Sequence, residues 1–113
     1  MTILKKLTIL FLTISTNAFA GQLTINAKVK SVTSQNSNNP DVFTIYLDGG
    51  SGVCGNDVSF TLASASNNKE LFARTYAAAL TAMTTGSYVM IHNYSSNSCS
   101  TGASFIQISR SPL

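Results

Sequence analysis

The chain has 113 residues, 44% of them hydrophobic, with only seven Lys and Arg, four Asp and Glu, and one His. The formal net charge of +3 is too small for the basic footprint that phosphate-backbone binding needs. One His and four acids also leave little material for metal or acid–base chemistry.

The first twenty residues have the layout of an export signal. Lys5 and Lys6 form a positive n-region, Leu7 to Ile14 is an apolar run, and Ala18-Phe19-Ala20 is a small-x-small cleavage site. The run is far shorter than the roughly 20 residues of a membrane-spanning helix. The expected division is therefore residues 1–20 as signal peptide and 21–113 as a single domain, secreted or periplasmic, with no integral membrane segment after cleavage. The residue directly after the cleavage point is Gly21 and not cysteine, which argues against a lipid anchor. Cleavage would remove two lysines. It leaves Lys28, Lys30, Lys69, Arg74 and Arg110 against Asp41, Asp48, Asp57 and Glu70, a net of +1. The apparent basicity belongs mostly to the signal, and nucleic acid is not an expected partner.

A domain this small gains from a covalent staple. Cys54 and Cys99 are the two cysteines. In an oxidising compartment an isolated pair most simply forms a disulfide, worth up to about 4 kcal/mol by chain entropy. A metal site is a weaker reading, because one His and no C-x-x-C spacing leave too few ligands.

From Gln22 to Val32, Leu23, Ile25, Ala27 and Val29 alternate with Thr24, Asn26, Lys28 and Lys30, the pattern of a half-buried strand. Thr33 to Pro40 reads as a polar loop. Val42 to Leu47 is a second strand, with Phe43, Ile45 and Leu47 on one face. The run Asp48-Gly49-Gly50-Ser51-Gly52 is a turn joining neighbouring strands. Val58, Phe60 and Leu62 alternate in a third strand. The period then changes. Asn67 and Glu70 have capping-box spacing, and Phe72, Tyr76, Leu80 and Met83 form one stripe of a helix from Asn68 to about Thr85, with Gly86 as its stop. Ala73, Ala77, Ala78 and Ala82 extend small residues around the rest of the helix. Tyr88 to His92 is a fourth strand, Asn93 to Gly102 a polar loop, and Ser104 to Ser109 a fifth strand.

The expected fold is thus mainly β with one helix, in the order β-β-β-α-β-β of an OB-fold-like five-stranded barrel with one disulfide. In such a barrel the third and fifth strands run side by side in the same direction. Cys54 and Cys99 precede those two strands, so they would meet at one end.

Catalytic equipment is thin. There is no G-x-S-x-G elbow and no phosphate-binding glycine loop, and His92 on a strand has no local partner for nucleophilic catalysis. The expectation is a non-enzyme without cofactor or metal. The loop Tyr94-Ser95-Ser96-Asn97 offers amides, hydroxyls and an aromatic ring, groups suited to a hydroxyl-rich ligand. These four are the candidate ligand-binding residues.

The chain resembles the B subunits of AB5-type toxins, especially the pertussis-like and subtilase-cytotoxin group, or a related exported family of OB-like domains. The resemblance lies in the export-signal layout, the cysteine positions, and the helix with its exit. These last are Lys69-Glu70-Leu71, Ala73-Arg74, Tyr76, then Thr84-Thr85-Gly86 into Tyr88-Val89-Met90-Ile91. It implies a ring-shaped homopentamer that recognises host cell-surface glycans and carries an enzymatic A subunit. It also implies helices lining a central pore, with Ala73, Ala77 and Thr81 as candidate pore or oligomer residues. The first strand lacks the Ser-rich, aromatic-flanked segment of that group's glycan pocket, so no pocket residue is carried over from it. The alternative expectation is a periplasmic binding or inhibitor module for an envelope protein.

Overall fold

The computed structural model describes residues 21–35 and 41–113. The export-signal segment, residues 1–20, and residues 36–40 of the first polar loop lie outside the described residues. Five strands, β1 (Gln22–Gln35), β2 (Val42–Asp48), β3 (Asp57–Thr61), β4 (Tyr88–Asn93) and β5 (Ala103–Ser109), flank one helix, α1 (Lys69–Thr85). A short 3-10 turn, Ala63–Ala65, precedes the helix. The element order matches the expected one. The strands form one open antiparallel sheet in the order β3-β2-β1-β4-β5. The pairings make β3 and β5, the two edges, run in the same direction.

The long β1 serves both halves of the sheet. Its N-terminal part pairs with β4, Ala27 opposite Val89, and its C-terminal part pairs with β2, Val32 opposite Ile45. Within the part paired with β4 the register shifts between Thr24 and Ala27, where Asn26 adopts a positive φ of 58°. The shift explains a correction to the alternating pattern: Thr24 is not on the outer face but buried with Leu23 and Ala27. An irregular register breaks strict two-residue alternation. β1 also runs three residues beyond Val32, because Thr33, Ser34 and Gln35 find backbone partners in Thr44, Phe43 and Val42.

The glycine-rich turn does more than reverse the chain. It lies against β1, where Ile25 and Ser51 exchange backbone hydrogen bonds of 2.9 and 3.0 Å. Cys54 N–H then donates to the Leu23 carbonyl at 3.0 Å. A Cβ on Gly50 would meet Ala27 at 2.7 Å, and one on Gly52 would collide with the Leu23 carbonyl. Both glycines also have positive φ. Close backbone approach, not turning alone, requires glycine here.

The inward faces of the sheet supply Leu23, Val29, Phe43, Ile45, Leu47, Val58, Phe60, Val89 and Ile91, all buried. Phe43 organises the contact with the helix. It stacks on Phe60 at 5.0 Å and meets Phe72 and Tyr76 of α1 at 5.3 and 5.2 Å. The helix contributes its small residues to the core as well. Thr75, Ala79 and Ala82 are its buried positions, while Phe72, Tyr76 and Met83 are partly buried against the cluster. Ala82 is therefore a core residue and not part of an outer small-residue face, and Leu80 is only half-buried. Close approach of helix to sheet favours the alanines at the centre of the contact.

The helix start falls one residue later than the capping-box spacing predicts. Asn68 is the N-cap, its side chain accepting from Leu71 N–H at 3.1 Å, and Asn67 instead has a φ of 58° in the preceding turn. Gly86 ends the helix with a φ of 66° as expected. β3 stops at Thr61, so Leu62 leaves the sheet and leads into the 3-10 turn.

Cys54 and Cys99 form the expected disulfide, with a Cα–Cα distance of 5.8 Å. It joins the segments that enter the two edge strands. Beside it, Ser59 N–H of β3 donates to the Cys99 carbonyl at 2.8 Å. No helix among the described residues is long and apolar enough to cross a membrane.

Candidate functional site

The alternation Val89, Ile91, Asn93 continues the inward face of β4 by one polar residue. Asn93 is the last residue of that strand and is fully buried. An amide at this depth must satisfy its donors and acceptors, and Asn93 does so by folding the following loop around itself. Its Oδ1 accepts from Ser95 N–H at 2.9 Å and Ser96 N–H at 3.0 Å. Its Nδ2 donates to the Ser98 carbonyl at 3.1 Å and the Thr101 carbonyl at 2.8 Å. The side chain of a single residue thus sets the path of residues 94–101. The return to β5 passes so close that a Cβ on Gly102 would lie 2.7 Å from Asn93 Nδ2. Gly102 N–H is tied to Ser64 Oγ at 3.1 Å.

The start of β1 closes the other side. Asn93 N–H donates to the Gly21 carbonyl at 2.8 Å, and Gly21 N–H donates to Asn97 Oδ1 at 3.0 Å. Between these segments lies a solvent-open cavity of about 270 Å³, lined by Gly21, His92, Asn93, Tyr94, Ser95, Ser96 and Asn97. One wall is aromatic. Tyr94, 74% exposed, stacks over His92 at 5.9 Å, and both rings meet Phe105 of β5 edge-on at 6.3 and 5.7 Å. The other wall carries serine hydroxyls and the Asn97 amide, groups that both donate and accept hydrogen bonds.

All four candidate ligand-binding residues, Tyr94, Ser95, Ser96 and Asn97, line this one cavity. Three lining residues, Gly21, His92 and Asn93, were not among those candidates. Asn93 belongs to β4 and not to the polar loop, and the alternation Val89, Ile91, Asn93 is the signal in the sequence that places it on the inward face. His92 packs against Tyr94 and Phe105. Among the described residues no three His, Cys, Asp or Glu side chains gather in a way that could hold a metal ion. The candidate oligomer residues Ala73, Ala77 and Thr81 lie elsewhere, as an exposed line along the outer face of α1. Thr81 returns its hydroxyl to the Ala77 carbonyl at 2.8 Å.

Fold and site together define a small β-rich domain with one disulfide and a polar–aromatic pocket at the end of its central strands. The chain belongs to a family of unknown function, DUF5992, whose model matches residues 3–110. Searches of curated proteins and of solved structures find no match.

Proposed function

We propose that the protein is an exported, non-enzymatic binding module that takes a glycan in the cavity between Gly21 and residues 92–97. The observation that carries this reading is the pairing of an exposed aromatic face, Tyr94 supported by His92 and Phe105, with hydroxyl and amide groups on a loop braced by Asn93. A sugar presents the same two characters, an apolar ring face and a rim of hydroxyls. A braced loop also loses little conformational freedom on binding. Export is supported by the layout of the first twenty residues together with the disulfide, a bond of oxidising compartments. The strand order and the joined edge-strand entries support an OB-like barrel as the finer description of the fold.

A glycan array with the exported chain tests the binding reading, with Tyr94→Ala as control. Tyr94 is largely exposed, so this variant should keep the parent's thermal midpoint and lose binding. An array without hits, or a Tyr94→Ala chain that binds like the parent, would sink the proposal.

A ring-forming subunit that carries an enzymatic partner is the fuller form of this reading. It is supported by the resemblance to AB5 toxin B subunits and by the exposed small residues Ala73, Ala77 and Thr81. Thr81 also borders a hollow shared with the exposed Ile108 of β5. Light scattering should then give a pentamer that Ala77→Glu dissociates. A monomer would remove the ring. A monomer that captures an envelope protein and no glycan would favour the inhibitor-module alternative.

A further inference from the structure

We infer that the α-amino group created by cleavage before Gly21 is part of the ligand pocket, and that the ligand it selects is a saccharide bearing a carboxylate. This rests on the export and glycan-binding readings above.

Gly21 is held on both sides. Its carbonyl accepts from Asn93 N–H at 2.8 Å, its nitrogen donates to Asn97 Oδ1 at 3.0 Å, and its neighbour Gln22 pairs with His92. The residue has a φ of 90°, and a Cβ on it would lie 2.8 Å from the Asn93 carbonyl oxygen. Glycine is the residue that fits. Chain ends normally fray unless they are tied down; a chain starting at Gly21 would start at an anchored residue, inside the lining of the cavity.

Cleavage changes the chemistry of that one nitrogen. In the uncut chain it is a neutral amide, and its single proton goes to Asn97. In the cut chain it is an ammonium at neutral pH, with three protons, of which Asn97 takes one. The lining side chains include no Asp or Glu to neutralise it, and the ionisable ones are His92 and Tyr94. A carboxylate on the ligand would pair with the ammonium through a charge-assisted hydrogen bond, with the sugar ring against Tyr94 and its hydroxyls on Ser95, Ser96 and Asn97. The cavity is below the usual volume for drug-sized ligands, which suits a single sugar ring. A hexuronate unit combines these features.

The test compares methyl β-D-glucuronide with methyl β-D-glucoside, a pair that differs at one carbon. Binding is read from the amide resonances of residues 95–97, on the chain beginning at Gly21 and on the same chain with an acetylated N-terminus. We expect the glucuronide to bind the free-amine chain about tenfold tighter than the glucoside, and acetylation to bring the ratio of the two affinities to about one. Equal affinity for the two probes on the free-amine chain, or a preference that survives acetylation, would overturn the inference and leave the glycan pocket standing. If neither probe binds either chain, the pocket reading falls with it. An exported protein whose mass begins at a residue other than Gly21 would overturn the inference alone.

Discussion

Replacing Asn93 by alanine should loosen the loop that builds the pocket, and the size of the effect can be worked from its bonds. Four hydrogen bonds of 2.8–3.1 Å would be lost. A net contribution of about 0.5–1.5 kcal/mol each bounds the total at roughly 2–6 kcal/mol. Ser95, Ser96 and Thr101 are exposed residues, so water can replace part of what their backbone groups lose. The expected cost is therefore in the lower range, about 2–4 kcal/mol, at some 4–8 °C of thermal midpoint per kcal/mol. Asn93→Asp sharpens the test. One carboxylate oxygen would still accept from Ser95 and Ser96, but the other would face the Ser98 and Thr101 carbonyl oxygens, with no proton to offer either. The aspartate should cost at least as much as the alanine despite its matching shape. The chain has no Trp, so urea unfolding at neutral pH with the disulfide intact is best followed by circular dichroism. Two variants that unfold within about 0.5 kcal/mol of the parent would refute the view that this amide holds the loop.

Phe43→Ala should cost about 3–5 kcal/mol and also reduce helix protection in hydrogen exchange, because Phe43 packs on both Phe60 and the helix residues Phe72 and Tyr76; a sheet-only effect would contradict that. Gly52→Ala should destabilise by about 2 kcal/mol or more and by more than Gly49→Ala, whose Cβ would meet nothing within 4 Å. Equal midpoints for the two would deny the close approach to β1. Cys54→Ala combined with Cys99→Ala should lower stability by up to about 4 kcal/mol, as the bridge spans 45 positions; an unchanged urea midpoint would count against it.

The order of elements along the chain, the helix stop and the disulfide were legible because each rests on a local or chemical signal. Such signals are the alternation of Phe43, Ile45 and Leu47, the glycine stop at Gly86, and one cysteine pair. The misreadings fall where a distant contact overrides local pattern. Thr24 is inside because the register of β1 against β4 shifts between Thr24 and Ala27. Ala82 is inside because the helix approaches the sheet closely, which a ranking by hydrophobic size does not reveal. The candidate loop, residues 94–97, is visible as composition and its brace, Asn93, as the next step of the Val89, Ile91 alternation, whereas the opposite wall, Gly21, depends on a strand pairing across most of the chain.

That pairing has a consequence for the order of events during folding. β1–β2, β2–β3 and β4–β5 join neighbours in sequence, and such contacts form early. The docking of β4 onto β1, in which Ala27 must find Val89, closes most of the chain into a loop and should come last. Cys54 belongs to the first half and Cys99 to the second, so their oxidation would record that the two halves have met. Quenched-oxidation experiments should find the bridge only in chains whose β4 amides are already protected from exchange. The covalent bond then acts as a latch on finished architecture and not as a guide to it.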